Sequence, residues 1–218
     1  MLPGAFFFIK TGMTKTQKIL IAALVLAAIG AIAAMTVIPS PAGKPRGAMH
    51  AVTNDAFGGP FTLTDQNGKT VTEKDLTGSY RLMYFGFTYC PAICPTELSK
   101  ITAALKQMGS KADQVVPVFV TVDPERDTVQ AMKSYVALFH PSLTGLTGTP
   151  EQVKDMLKAY KIYAAKVQDP QMSDYTMDHS SFIYLLAPDD RLLHIFKMDD
   201  DAKTMADTTS AWIEQEAH

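Results

Sequence analysis

The chain has few of the residues that mark a disulfide scaffold or a nucleic-acid-binding protein. Cysteine occurs only twice in 218 residues, whereas a secreted disulfide framework needs more cysteines at wider spacing. Lysine and arginine total 20 against 22 acidic residues, so no basic excess exists to neutralise a run of phosphates. Internal repeats and low-complexity segments are also absent. The sequence therefore excludes a disulfide scaffold and argues against nucleic-acid binding.

One long run without any charge occupies residues 19–38. A helix of this length spans about 30 Å, which is the thickness of the hydrocarbon core of a bilayer. Lys10, Lys15 and Lys18 precede the run closely, and the positive-inside rule then predicts a cytoplasmic N-terminus. We therefore expect residues 1–18 to be cytoplasmic, residues 19–38 to form a single transmembrane helix, and the rest to lie outside the cytoplasm.

A cleaved signal peptide is the competing interpretation of the same run. Ala31, Ile32 and Ala33 give the small-residue pattern of a cleavage site, but a cleavable apolar region is usually about 7–15 residues long. Met13 is a second candidate for the start of the protein. The chain lacks an arginine-rich presequence, which favours the bacterial inner membrane with the domain in the periplasm over a mitochondrial location.

The remaining residues divide into a linker and one domain. Residues 39–58 are rich in proline and glycine, the composition of a tether. Residues 59–218 suffice for a single domain that buries roughly two-thirds of its unfolded surface. Their hydrophobic patterns predict a hairpin over 61–64 and 69–72, strands over 80–87 and 115–122, helices over 96–108, 127–139, 150–160 and 202–216, and a hairpin over 181–186 and 192–196.

The order of these elements predicts an α/β fold. Strands and helices alternate first, and a β-hairpin and a final helix follow. This order gives a central mixed sheet with helices on both faces. We therefore predict a thioredoxin-like domain, preceded by the single transmembrane helix.

The two cysteines, Cys90 and Cys94, lie four residues apart where a buried strand gives way to a helix. A helix that starts at or just after Cys90 would bring both sulfurs to one side of its first turn. The positive end of the helix dipole favours the thiolate, which is the form that binds a metal or attacks a disulfide. Taken alone, the pair is compatible with a redox dithiol, a structural bridge or a metal site.

Three separated motifs resemble those of the Sco/SenC family: FGFTYCPAICPTEL at residues 85–98, TVDPERDT at 121–128 and YTMDHS at 175–180. The resemblance covers roughly residues 59–200 in the right order. It implies that Cys90, Cys94 and His179 bind one copper ion. One departure stands beside the first cysteine, where Ala92 replaces the acidic residue that family members often carry.

The resemblance further implies a metallochaperone for the dinuclear copper A centre of cytochrome c oxidase. Its expected partners are subunit II of the oxidase or another copper chaperone, together with a thiol reductant protein. Two thiolates and an imidazole suit Cu(I), while the imidazole with an added oxygen ligand accommodates Cu(II). Zinc competes chemically for the same donors. The alternative function is a thiol-disulfide oxidoreductase that acts on cysteines of a membrane or periplasmic partner through Cys90 and Cys94.

Several other side chains are candidates for supporting roles. Asp123 and Asp178 are possible neighbours of the metal ligands, the first at a strand end and the second adjacent to His179. Asp127 is interpreted as a residue near a helix N-cap. A peroxidase would need a cation beside Cys90, for which Arg126 is the candidate. Most methionines follow the core positions of strands and helices and are expected to fill the interior.

Overall fold

We analysed a computed structural model of the chain, which describes residues 57–168 and 174–216 together with Thr16. The chain divides into two units, Met1–Ala48 and Met49–His218, and every element below belongs to the second. The predicted transmembrane helix at 19–38 lies outside the described residues. In the described part of the chain, no helix is both long enough and apolar enough to cross a bilayer.

The described residues of this domain form nine strands in two sheets. The main sheet has seven strands in the order β2-β1-β5-β4-β3-β8-β9, and β6 pairs with β7 in a separate two-stranded sheet. The strands are β1 Thr62–Asp65, β2 Thr70–Thr72, β3 Tyr80–Gly86, β4 Val115–Thr121, β5 Thr144–Thr147, β6 Ala164–Val167, β7 Thr176–His179, β8 Ile183–Leu186 and β9 Leu192–Phe196.

The centre of the main sheet is parallel and its edges are antiparallel. Strand β3 pairs in parallel with β4 and antiparallel with β8. Every residue of β3 is buried, as expected for a strand covered on both faces. The predicted hairpins are confirmed as the antiparallel pairs β1–β2 and β8–β9. The mixed sheet agrees with the predicted thioredoxin-like fold.

Within residues 57–168 and 174–216, five α-helices flank the sheets: α1 Glu73–Leu76, α2 Ile93–Met108, α3 Val129–Val136, α4 Pro150–Ala159 and α5 Ala202–Glu216. A 3₁₀ helix, Gly109–Gln114, follows α2 directly. Helix α2 packs against α5. Thr149 caps α4 by accepting a hydrogen bond from the Gln152 N–H, and Pro150 occupies the first turn, where its missing N–H costs nothing.

The sequence prediction located the long elements and both hairpins of the main sheet but missed other short elements. Helix α2 begins at Ile93 rather than at 96, and α3 is shorter than the predicted 127–139. Strand β5 was not predicted because Thr144–Thr147 contains a glycine and two threonines in four residues. The pair β6–β7 was also missed, because its residues are partly exposed and carry no clear apolar alternation.

Candidate metal centre

The two cysteines lie at the junction between β3 and α2, but only one belongs to the helix. Because α2 begins at Ile93, Cys94 is in its first turn and Cys90 is in the preceding loop. The backbone N–H of Cys94 donates to the Cys90 sulfur over 3.3 Å. The prediction that one helical turn carries both sulfurs is therefore corrected: the loop bends back so that Cys90 contacts the open N-terminus of α2.

The two thiols differ in exposure and in acidity. Cys90 is partly exposed, Cys94 is buried, and both are free thiols. The hydrogen bond from the Cys94 side chain, together with backbone N–H groups of α2, lowers the pKa of Cys90 to about 5 despite partial burial. The same hydrogen bond and burial raise the pKa of Cys94. Cys90 is therefore the thiolate of the pair at neutral pH.

His179 ends strand β7 and reaches the cysteine pair from the small sheet. Its Nε2 lies 3.9 Å from the Cys94 sulfur, although 85 residues separate the two in the chain. Its Nδ1 lies 3.1 Å from the carbonyl oxygen of Ser180. Because a carbonyl only accepts, Nδ1 carries the proton and the lone pair of neutral His179 is on Nε2, toward Cys94.

Aromatic rings and a glycine form the walls around these side chains. The Tyr84 hydroxyl lies 3.6 Å from the Cys94 sulfur, and the rings of Tyr84 and Phe87 meet the His179 ring edge to face. A Cβ atom on Gly86 would lie 2.8 Å from the Cys94 sulfur, which is closer than real contacts allow. Gly86 therefore gives the buried sulfur its space.

The donor set fits a soft metal ion with a small adjustment. Metal–sulfur and metal–nitrogen bonds of about 2.3 and 2.0 Å place the two donors about 3.5 Å apart across a tetrahedral angle. The Cys94–His179 distance of 3.9 Å is close to that value. Within residues 57–168 and 174–216, however, no three His, Cys, Asp or Glu side chains already form a metal-ligating group.

Asp123 and Arg126 lie next to the cysteine loop and contact each other. Asp123 is buried and accepts from Arg126 Nε over 2.5 Å and from the Tyr175 hydroxyl over 2.8 Å. No described hydrogen bond of Asp123 reaches Cys90, Cys94 or His179. The Arg126 guanidinium is paired with Asp123, so its charge is already compensated, which weighs against the peroxidase interpretation.

Asp178 is exposed, and none of its described contacts orients the imidazole. The Ser180 carbonyl, which faces Nδ1 of His179, orients the imidazole instead.

The prediction that most methionines fill the interior is confirmed for four buried core residues: Met83, Met108, Met132 and Met156.

The sequence did not predict the role of one residue that is important to the site. Asp127 is fully buried and accepts hydrogen bonds from the Thr88 N–H and hydroxyl and from the Thr121 hydroxyl. It therefore attaches the cysteine loop to β4. The N-cap of α3 is Thr128, which accepts from the Ala131 N–H, and Asp127 directly precedes it, so Asp127 lies near the cap as predicted. A buried carboxylate with three donors indicates a structural anchor.

This mixed sheet carries a thiol pair at a strand-to-helix junction, and a histidine of the small sheet lies beside the buried sulfur. These features define a thioredoxin-like domain with a candidate metal centre. The SCO1/SenC family model matches residues 50–214, and the chain belongs to this family. The mitochondrial SCO1 homolog 1 of Arabidopsis thaliana is 46% identical over 153 residues, which are 70% of this chain and 46% of that protein. The chain thus spans about half the length of this relative.

Other relatives match over more of their length. A SCO2-like protein of Rickettsia prowazekii is 40% identical over 85% of this chain and 92% of that protein. The structure of Bradyrhizobium japonicum ScoI with copper bound is 44% identical, with a TM-score of 0.67, over 72% of this chain and 99% of that one. The structure of BsSco, described as having a disulfide switch and as one of the Sco cytochrome c oxidase assembly proteins, is 27% identical with a TM-score of 0.58, over 75% and 96%.

Proposed function

We propose that this chain is a copper-binding metallochaperone that carries one ion on Cys90, Cys94 and His179. The observation that carries the proposal is the 3.9 Å separation of the Cys94 sulfur and His179 Nε2. The imidazole presents its lone pair to the sulfur, and a soft thiolate beside an imidazole is a donor set that copper prefers. Copper is the cargo of this site rather than a resident cofactor.

The exposure of the site suits transfer better than storage. Cys94 is buried, but Cys90 is partly exposed and lies in a loop. A three-ligand site leaves an open position through which an acceptor thiol can approach the ion. The ion then leaves by ligand exchange, with Cys90 as the first protein ligand to be replaced.

The acceptor that we propose is cytochrome c oxidase, at the dinuclear copper A site of its subunit II. A solved relative from Bradyrhizobium japonicum holds copper, and the BsSco relative is described as an oxidase assembly protein. Another copper chaperone is the alternative partner. Similarity to rickettsial SCO2-like proteins supports a bacterial origin.

The same geometry supports a second function, thiol-disulfide exchange with the acceptor's cysteines. The partly exposed Cys90 thiolate would attack a partner disulfide and form a mixed disulfide. Cys94 would then attack the Cys90 sulfur, and the partner's cysteine would leave as a thiol. The partner leaves with two thiols and this chain with a Cys90–Cys94 disulfide. A thiol reductant protein must then restore the dithiol. Oxidation would also remove the thiolates that bind copper.

The domain layout that we propose is a cytoplasmic segment 1–18, a transmembrane helix 19–38, a linker 39–58 and the copper-binding domain 59–218. In this arrangement the domain faces the periplasm at the bacterial inner membrane. A reporter fused after His218 should be active only outside the cytoplasm. A soluble mature protein that begins near Ala34 would show a cleaved signal peptide instead.

Metal analysis of the reduced and the oxidised domain tests the central proposal. The reduced protein should retain about one copper ion after exposure to copper and zinc and removal of free metal. Protein oxidised to the Cys90–Cys94 disulfide should retain far less. Equal retention by both forms would show that other residues hold the ion, and no retention by either would leave thiol exchange as the function.

A further inference from the structure

Arg126 links the loop that carries Cys90 to the strand that carries His179. Its guanidinium carbon lies 4.8 Å from the ring centroid of Tyr89, which directly precedes Cys90. The same carbon lies 3.7 Å from the ring centroid of Tyr175, which directly precedes β7. One cation thus contacts an aromatic ring on each side of the candidate centre, and both contacts are within the range of cation–π attraction.

Hydrogen bonds fix Arg126 against the second of these rings. Arg126 Nη1 donates to the Tyr175 carbonyl over 2.9 Å, while Nε donates to Asp123 over 2.5 Å. The Tyr175 hydroxyl donates to the other Asp123 oxygen over 2.8 Å. The three residues therefore form a closed ring of contacts. Only 13% of the Arg126 side chain is exposed, and Asp123 is fully buried, so solvent screens this pair far less than a surface pair.

The strand that carries His179 needs such an attachment because it does not belong to the main sheet. Among the described strands, β7 pairs with β6 alone, and both strands are partly exposed. A second ion pair between this sheet and the loop after β4 joins Lys166 to Glu125, but about half of each side chain is exposed. Exposed pairs of this kind contribute little. Of the two ion pairs, the Arg126–Asp123 pair is therefore more buried than the Lys166–Glu125 pair.

We propose that Arg126 is a positioning residue that holds the His179 strand against the cysteine loop and so favours three-ligand over two-ligand copper binding. This inference rests on the copper-carrier function proposed above. Arg126 itself binds no metal in this account. It acts through Tyr175, four residues before His179 along the chain.

The chemistry of copper makes the two modes distinguishable. Two thiolates can hold Cu(I) in a linear arrangement, whereas Cu(II) favours nitrogen donors and higher coordination. A displaced histidine should therefore weaken Cu(II) binding more than Cu(I) binding. A general loss of fold would weaken both.

The test replaces Arg126 by methionine, which keeps length and apolar bulk but removes the charge and the donors. Arg191→Met is the matched control, because Arg191 also forms ion pairs, with Asp189 and Glu216, but on an exposed surface. Cu(II) binding is followed by thiolate-to-copper absorption and by electron paramagnetic resonance of nitrogen coordination. Cu(I) affinity is measured by competition with a chromophoric chelator. Hydrogen–deuterium exchange of the metal-free proteins over residues 174–180 reports the strand directly.

Arg126→Met should lower Cu(II) affinity by about 10–100-fold, the usual range for removing a residue that orients a metal ligand. It should lose the nitrogen signal, keep Cu(I) affinity within a few-fold, and exchange faster over 174–180. Arg191→Met should match the parent in all of these. Unchanged Cu(II) binding in Arg126→Met, or equal losses of Cu(I) and Cu(II), would overturn the positioning role. If the parent binds no copper, the carrier function fails. Hydrogen–deuterium exchange then tests the contact of Arg126 with the His179 strand by itself, and an Arg126→Met variant that exchanges like the parent over residues 174–180 would refute that contact.

Discussion

The carboxylate of Asp127 accepts hydrogen bonds from both the N–H and the hydroxyl of Thr88, a residue 39 positions earlier in the chain. Thr88 stands two residues before Cys90, and the same carboxylate also accepts from the Thr121 hydroxyl at the end of β4. Asp127, which is distant from Cys90 in the sequence, therefore fixes the start of the loop that carries Cys90.

Asp127→Ala should destabilise the domain by about 3 kcal/mol, because it leaves the half-buried donors of Thr88 and the buried hydroxyl of Thr121 without an acceptor. Asp127→Asn keeps one acceptor oxygen and the side-chain volume, so its cost should be smaller. Denaturant unfolding of the reduced domain measures both. An alanine variant as stable as the parent would show that Asp127 does not anchor the loop.

The stability contributed by Asp127 should also depend on pH. Burial, the dominant cause, raises the pKa of this carboxyl above its ordinary value, although hydrogen bonds from Thr121 and Thr88 lower it. Such a group stabilises the fold fully below its unfolded pKa of about 4 and loses that contribution as pH rises through the folded value. The unfolding free energy of the parent minus that of Asp127→Asn should therefore fall as the pH rises above about 4. A difference that rises with pH would contradict this.

Gly86→Ala should disturb Cys94, because the new methyl group would lie 2.8 Å from its sulfur. Gly145→Ala is the matched control, since its methyl group would lie 2.7 Å from Val136 Cγ1, in a contact that involves neither cysteine. Each overpacked variant should lose about 1–3 kcal/mol of stability. Only Gly86→Ala should weaken copper binding beyond that loss. Equal copper binding by the two variants would show that the space at Gly86 is unimportant to the centre.

Alkylation should distinguish the two thiols. The pKa of Cys90 is lowered to about 5, chiefly by the hydrogen bond from the Cys94 side chain, so its thiolate should form well below neutral pH. Cys94→Ala should raise the pKa of Cys90, because it removes that hydrogen bond. The pH dependence of the iodoacetamide reaction, with peptide mapping, measures both effects. Preferential alkylation of buried Cys94, or an unchanged Cys90 profile in Cys94→Ala, would contradict the assignment.

The long apolar elements were predictable because their own residues determine them. Helix α5 has the predicted bounds of 202–216, and the wholly buried β3 differs from its prediction by one residue. Strand β7 was not predictable in this way, because its four residues are stabilised by pairing with β6 and by tertiary contacts rather than by an apolar pattern.

The site was predictable only in part for the same reason. The spacing of Cys90 and Cys94 indicates a functional pair, and the family motifs identify His179 as the third candidate ligand. The roles of Asp127 and Arg126 depend on partners 39 and 49 residues away, and spacing along the chain cannot show such contacts. Asp127 precedes a helix and therefore resembled a cap residue, although its side chain faces the cysteine loop.

Copper binding by His179→Ala tests the central claim most directly. The variant should keep its fold and its Cys90–Cys94 redox couple, since the cysteine loop and α2 are intact. The two thiolates should still bind Cu(I), but Cu(II) binding and oxidase assembly should be lost, because Cu(II) favours a nitrogen donor. Parent-like Cu(II) binding together with normal oxidase assembly would contradict the account and would leave thiol-disulfide exchange as the function of the two cysteines.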